Sequence, residues 1–222
     1  METVEHARPT RRKKLVRKTK SVRQREIVDA TVELLGKYGV QGTTVSRIAA
    51  AVGVTKGALY QHFPNREAVL SAALAAMDER SSAWIAQSSG SDVRTRLLAM
   101  GQAHSSWAAS EYNTFVRPFF QLITSSTEDE LTTQIIERQH RDLHLLTERA
   151  RDGQRQGSIS ADVDPEEIAW SLHMLAWAED IAMLIGVDEF ITEGVSASIL
   201  KRLMATYATS ADGSAGVTKD SG

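Results

Sequence analysis

The chain contains no cysteine. Disulfides, thiolate metal sites and cysteine-based redox switches are therefore excluded, which suits a reducing compartment. Only 4 prolines and 14 glycines interrupt 222 residues, so long stretches are free to stay helical. Long apolar runs are missing as well. The longest, Ile181 to Val187, falls far short of the roughly 20 residues a bilayer-spanning helix needs, so no membrane contact is expected. The basic N-terminus has no apolar stretch behind it and does not read as a secretory signal. A cytoplasmic location is the expectation.

What remains is the composition of an ordinary globular protein. Apolar residues make up 42% of the chain, enough for a buried core, and charged residues make up 24%. The net charge of −2 hides a strong segregation. Residues 1–66 hold 14 Lys/Arg against 5 Asp/Glu, a balance of +9, and the rest carries 12 against 23, a balance of −11. One end of the chain attracts a polyanion and the other repels it.

The pattern along the chain is helical throughout, and an all-α fold of about nine helices is expected. Residues 1–20 form a block of Arg and Lys with few apolar partners, expected to be disordered alone. It reads either as an arm on DNA phosphates or in a minor groove, or as a solvated tail. Ser21 to Tyr38 carries Ile27, Ala30, Thr31, Leu34, Leu35 and Tyr38 at helical spacing, with Gly39 as a stop. Thr44 is placed to cap a helix Val45 to Val52, and Thr55 a helix ending near His62. Asn65 starts a longer helix, 66–84, after Pro64. Beyond a polar break at Ser88 to Ser91, helical patterns cover 92–109, 112–124, 128–152, 165–186 and 189–207. Asp164-Pro165-Glu166-Glu167 is a start signal combining a cap carboxylate, a first-turn proline and early acidic residues. The expected organisation is a basic arm over 1–20, a three-helix domain over 21–70, a helical domain over 71–208 and a disordered tail over 209–222.

Residues 45–63 contain a helix-turn-helix. Ala49 is the small residue where two short helices cross steeply, and Gly53 supplies the positive φ of the turn. Ile48, Val52, Val54 and Leu59 close a miniature core around them. In order, the surrounding stretch reads Tyr38-Gly39, Gly42-Thr43-Thr44, Ile48-Ala49, Gly53-Val54-Thr55-Lys56-Gly57, Leu59-Tyr60-Gln61-His62-Phe63 and Asn65-Arg66-Glu67. From Arg25 to Leu70, about a fifth of the chain, this resembles the N-terminal domain of the tetracycline-repressor (TetR) family.

The resemblance implies a transcription regulator that binds a double-stranded, palindromic DNA operator as a homodimer and is released by a small-molecule effector. Thr55 to His62 would be the recognition helix in the major groove. Thr44 and Ser46 would bond phosphates, and Arg47 would reach a base or a phosphate. Lys56 would donate to guanine. Thr55 would touch a base or cap its helix, and Gly57 would let the backbone approach. Tyr60, His62 and Arg66 would contact phosphates. Plainer roles stand beside these: Thr44 and Thr55 as caps only, Tyr60 as a packing residue, Leu59 and Phe63 as core.

The resemblance also implies a C-terminal ligand-binding and dimerisation domain whose last two helices pair with a second copy. Trp170, Met174, Trp177, Ile181 and Leu184 make a stripe in helix 165–186. Ile191, Val195, Ile199, Leu203 and Met204 do so in 189–207, with Gly194 as a small contact position. An intramolecular core is the alternative. Pocket candidates are His104, Trp107, Tyr112, Phe115, Phe119, Phe120, His140, His144, His173 and Trp177, an aromatic set with a few polar groups. Glu179 and Asp180 interrupt an apolar helix; they would meet a cationic ligand or, preferably, an Arg across the dimer.

His140 and His144 have metal-ligand spacing but no third ligand, so neither a metal nor another cofactor is expected. His140-Arg141-Asp142-Leu143 imitates a kinase catalytic loop without its Asn or glycine-rich partner. With no nucleophile elbow or phosphate loop, the chain does not read as an enzyme. Two alternatives stay open: a constitutive DNA-binding dimer without a ligand, and an activator.

Overall fold

The structure, a computed structural model, describes residues 19–86, 90–125 and 129–209. The basic arm lies outside the described residues except for its last two positions, and the tail except for Thr209. Among the described residues every regular element is helical. In chain order these are α1 Lys20–Gly42, α2 Val45–Ala51, α3 Lys56–Tyr60, α4 Arg66–Ala86 and α5 Val93–Ser110. After them come a wide π-type turn Tyr112–Val116, α6 Arg117–Ser125, α7 Asp129–Arg155, α8 Pro165–Ile185, α9 Glu189–Thr192 and α10 Val195–Thr206.

The sequence signals act as caps. Thr44 Oγ1 accepts from the Arg47 amide at 3.3 Å, Thr55 Oγ1 from Ala58 at 3.1 Å and Asn65 Oδ1 from Ala68 at 2.7 Å. Asp164 accepts from Glu166 at 2.9 Å, with Pro165 opening α8 and Gly186 closing it in the left-handed region. Gly39 breaks α1 with φ 68°, and one further turn carries the chain to Gly42.

Two expected helices differ. The stretch 189–207 is not continuous: Gly194, expected as a contact residue inside a helix, has φ 73° and separates α9 from α10. The stretch 112–124 starts as a widened turn, in which the Val116 amide donates to Glu111 O at 3.2 Å. Pro118 follows it and has no N–H to close an ordinary helical turn there.

Three apolar clusters hold the molecule together. Ile27, Ile48, Ala49, Leu59, Phe63 and Val69 form the core of the N-terminal three-helix unit. A second cluster joins Val32 and Leu35 of α1 and Leu70, Leu74 and Met77 of α4 to Phe115, Phe119 and Leu122. A third packs α5, α7, α8 and α10 around Leu97, Leu146, Ile168, Leu172, Leu200 and Met204. Helix α4 is thus shared. Its first turn is built into the N-terminal core through Val69, and the following turns are built into the second core.

At 21 residues α8 has the length and apolar composition of a membrane span, although no apolar run in the sequence reaches that length. Its inner face is buried against the bundle and carries Glu179 and Asp180.

Candidate functional site

The N-terminal unit presents one outward face. Thr44, Ser46 and Arg47 at the start of α2, and Thr55, Lys56, Gly57 and Tyr60 on α3, are all exposed. Leu59 and Phe63 are buried beneath them. Lys56, Gly57 and Tyr60, at spacings of one, three and four, lie within about 100° of one another around α3 and form its outer face, and Leu59 projects from the other side into the core. Tyr60 keeps 48% of its surface exposed and packs little. A Cβ on Gly57 would meet only Thr55 Oγ1, at 3.9 Å, so its backbone faces open space. Gly53, at φ 66°, makes the turn between the two helices, and the Val54 amide donates to Ala49 O at 2.9 Å across it.

Three expected contact residues are placed differently from the rest. The Arg47 guanidinium donates to Gly42 O and lies 4.2 Å from the Tyr38 ring centroid, so it is pre-positioned against α1. Arg66 turns onto the backbone: Nε donates to Thr43 O at 3.0 Å and Nη2 to Val40 O. It ties α4 to the connection between α1 and α2. His62 is half-buried, and its Nδ1 is enclosed without a hydrogen-bond partner.

Behind this unit lies a cavity of about 110 Å³, lined from α4, α5, the π turn, α6, α7, α8 and α10. Six of the expected pocket residues line it: His104, Trp107, Phe115, Phe119, His173 and Trp177. Their rings form a chain of contacts. Trp107 meets Phe115 edge-on at 4.8 Å, Phe115 stacks on Phe119 at 5.5 Å, and His173 lies 5.7 Å from Trp177.

Tyr112 and His144 do not line the cavity. The widened turn sends Phe115 inward and leaves Tyr112 packed on the second cluster. His144 is exposed on α7, because Asp142, Leu145 and Leu146 take the inward positions around it. His140 is exposed as well, and Phe120 packs on Trp177 at 5.6 Å outside the lining.

Glu179 and Asp180 correct the expectation of an arginine across a dimer. Both sit on the inner face of α8, buried in the cavity wall. Glu179 Oε2 lies 2.8 Å from His104 Nδ1, and Glu179 Oε1 accepts from Ser105 Oγ at 2.9 Å. Burial raises its carboxyl, but bonding from His104, with Ser196 and Ser105 beside it, outweighs that and holds it below its ordinary value. Burial pushes Asp180 up to about 6. It pushes His173 down to about 4, so that ring is neutral, and His173 Nε2 lies 2.8 Å from Gln139 Oε1.

Sequence reasoning missed Arg138, Asp142 and Ser81. Arg138 is 6% exposed, and its guanidinium lies 4.6 Å from the Phe119 ring centroid. Its Nε donates to Asp78 Oδ1 at 2.7 Å and its Nη2 to Ser81 Oγ at 3.0 Å, both on α4. Asp142 Oδ2 stands 3.7 Å from Arg138 Nη2, and burial raises its carboxyl. The signal was available: Leu131, Ile135, Arg138, Asp142 and Leu146 follow one another at steps of three and four, so two charges stand on an apolar stripe.

Comparison with known proteins fits this architecture. Residues 27–73 match the family described as bacterial regulatory proteins, tetR family. The A-factor receptor protein of Streptomyces griseus is 39% identical over 71 residues, 32% of this chain and 25% of that one. The HTH-type transcriptional repressor AcnR of Corynebacterium diphtheriae is 27% identical over 129 residues, 56% of this chain and 67% of that one. The chain spans less than half the length of most of the curated relatives it matches. Among solved structures, the transcriptional regulator FadR of Bacillus subtilis in complex with stearoyl-CoA superimposes with a TM-score of 0.67 at 22% identity. The match covers 82% of this chain and 97% of that one, and at that identity the likeness shows the fold.

Proposed function

We propose that this chain, whose N-terminal domain belongs to the tetR family of bacterial regulatory proteins, is a homodimeric transcription regulator that releases its DNA operator when a small molecule enters the cavity. It carries no catalytic role in this reading. Lys56 reads a base from the outer face of α3, and Thr55 and Gly57 let the helix sit close in the major groove. Thr44, Ser46, Arg47 and Tyr60 hold phosphates around it. Arg66 acts one step back, keeping α4 fixed to the α1–α2 connection.

The observation that carries the reading is the double attachment of α4. Val69 anchors its start in the N-terminal core, and Asp78 and Ser81 are held by Arg138 in the cavity wall. A molecule that displaces Arg138 or the rings beneath it acts on α4, and α4 carries the recognition unit. Such a molecule shifts the equilibrium only by its differential affinity for the two arrangements.

A second copy of the chain is the partner for the outer face of α8. Trp170, Met174, Ile181 and Ile185 stand exposed there at steps of four, seven and four, and Val195 at the start of α10 is exposed as well. Trp177 and Leu184 of the expected stripe turn inward instead. A symmetric pair through this face presents two recognition helices about 34 Å apart, one turn of DNA. The FadR neighbour holds stearoyl-CoA, whereas a cavity of about 110 Å³ suits a far smaller effector.

In vitro selection from random duplexes with the full chain tests this. The expected product is a palindrome with half-sites about one helical turn apart. Failure to enrich any sequence contradicts the regulator reading.

A further inference from the structure

Among the described residues, the cavity wall holds more negative charge than its own cations compensate. Asp142, Glu179 and Asp180 are three carboxylates facing one guanidinium, that of Arg138. Arg138 is already engaged by Asp78, which is shared with Arg141 at 3.0 Å. Even with His104 protonated, one negative charge is left over, and His173 is held neutral by burial.

The surplus has an address. Glu179 is satisfied by His104 and Ser105. Asp180 is 5% exposed, lines the cavity, and its Oδ1 accepts no hydrogen bond; His104 Nε2 stands 3.8 Å away, beyond hydrogen-bond reach. A buried carboxylate in this state is costly, and Asp180 stands in the cavity wall, where its carboxylate is next to any donor the cavity takes up. The rest of the wall is mainly apolar, with the aliphatic Leu146, Leu172 and Leu200 and the aromatic Trp107, Phe119 and Trp177 around the space. The volume, about 110 Å³, is of the order of a single ring, since an apolar cavity of ~150 Å³ holds benzene.

We infer that the effector is a small aromatic ammonium: a single ring packed against Trp107, Phe119 and Trp177, with a protonated amine donating to the Asp180 carboxylate. This deepens the proposed function and rests on the cavity being its sensor site. The ammonium supplies the charge-assisted hydrogen bond that Asp180 lacks and offsets the negative charge left over in the wall. Rings beside it add cation–π attraction. Asp142, whose carboxyl is also raised by burial, adds to the pull from α7.

The test is a calorimetric titration of the full chain at pH 7.5 with three probes of one shape: benzylamine, benzyl alcohol and benzoate. Benzylamine is expected to bind about tenfold or more tighter than benzyl alcohol, with benzoate weaker still. Asp180→Asn is expected to bring benzylamine and benzyl alcohol within about threefold of each other, with circular dichroism showing an unchanged fold. If that variant fails to fold, Asp142→Asn gives the second reading, a smaller loss of cation preference. Equal or tighter binding of the alcohol or the acid overturns the inference. So do binding of none of the three, and an undiminished preference in Asp180→Asn. The titration contains no DNA. A failed preference therefore leaves the regulator reading standing, and a failed DNA experiment leaves the cavity result standing.

Discussion

Arg138 Nε donates to Asp78 Oδ1 at 2.7 Å, joining α7 in the cavity wall to α4, the helix that begins in the N-terminal core. The same guanidinium reaches Ser81 and rests on Phe119, so one planar group spans cavity and helix. Arg138→Lys keeps the charge but cannot hold Asp78 and Ser81 together in that fork. Asp78 keeps Arg141, so the expected stability loss is moderate, about 1–3 kcal/mol. The variant is expected to bind operator and effector yet to lose effector-driven release. A gel shift with and without effector checks this, and full release would remove Arg138 from the coupling.

Asp180 gives a pH signature. Its carboxyl is pushed up to about 6 from an ordinary 3.8. Folding therefore favours its protonation, and its stabilising contribution is fully present below 3.8 and lost as pH rises through about 6. At pH 7.5 the folded protein carries the whole penalty, on the order of 3 kcal/mol. Asp180→Asn is expected to raise Tm there by several degrees while weakening a cationic effector. His173 works the other way: its pKa falls to about 4, so its contribution is present above 6.5 and lost as pH falls through about 4. The two oppose each other in the wild type between pH 6.5 and 4. In Asp180→Asn only the His173 loss remains, so its Tm should fall more steeply on acidification. Thermal melts at pH 7.5, 6 and 4.5 read the difference; parallel curves would contradict it.

Gly36 marks where α1 of the N-terminal unit meets the π turn and α6. A Cβ there would sit 2.5 Å from Asn113 O and 3.2 Å from Pro118 Cγ, so α1 packs directly on the π turn. The obstacle is backbone and cannot swing aside. Gly36→Ala is expected to cost about 1–3 kcal/mol and to loosen the recognition unit from the cavity domain. Hydrogen exchange should show faster opening in α1 and in 112–118, with the core of α8 unchanged.

Much of this was legible in the sequence, and the limits have physical causes. The caps at Thr44, Thr55, Asn65 and Asp164 were readable because each is a local hydrogen bond between near neighbours. The turn at Gly53 was readable because only glycine suits it. The break at Gly194 was missed because Ile191 before it and Val195, Ile199 and Leu203 after it keep a helical period across it. Tyr112 was misplaced because a π turn shifts the register by one residue, which aromatic spacing does not reveal. Arg138 was missed because a charged residue on an apolar stripe is ordinarily solvated. Its burial depends on Asp78 and Ser81, some 60 residues earlier.

In the proposed function Lys56 is the residue that reads sequence. It lies on the exposed face of α3 beside Thr55 and Gly57, while Leu59 holds the helix to the core. Lys56→Ala is expected to weaken operator binding by about 1–3 kcal/mol per half-site and to relax preference at one base position in each. Tm should be nearly unchanged, because the side chain is exposed. Binding to duplexes carrying each base at that position checks it; an unaltered preference would place the reader elsewhere.

The most direct measurement is fluorescence anisotropy with the full chain and two labelled duplexes of equal length, one carrying the selected palindrome and one its scrambled sequence, at physiological salt. The expected result is two chains per palindromic duplex, an affinity about a thousandfold or more above the scrambled control, and release by the cavity's effector. Equal affinity for both duplexes, or one chain per site, would contradict the claim that α3 reads DNA as half of a symmetric pair.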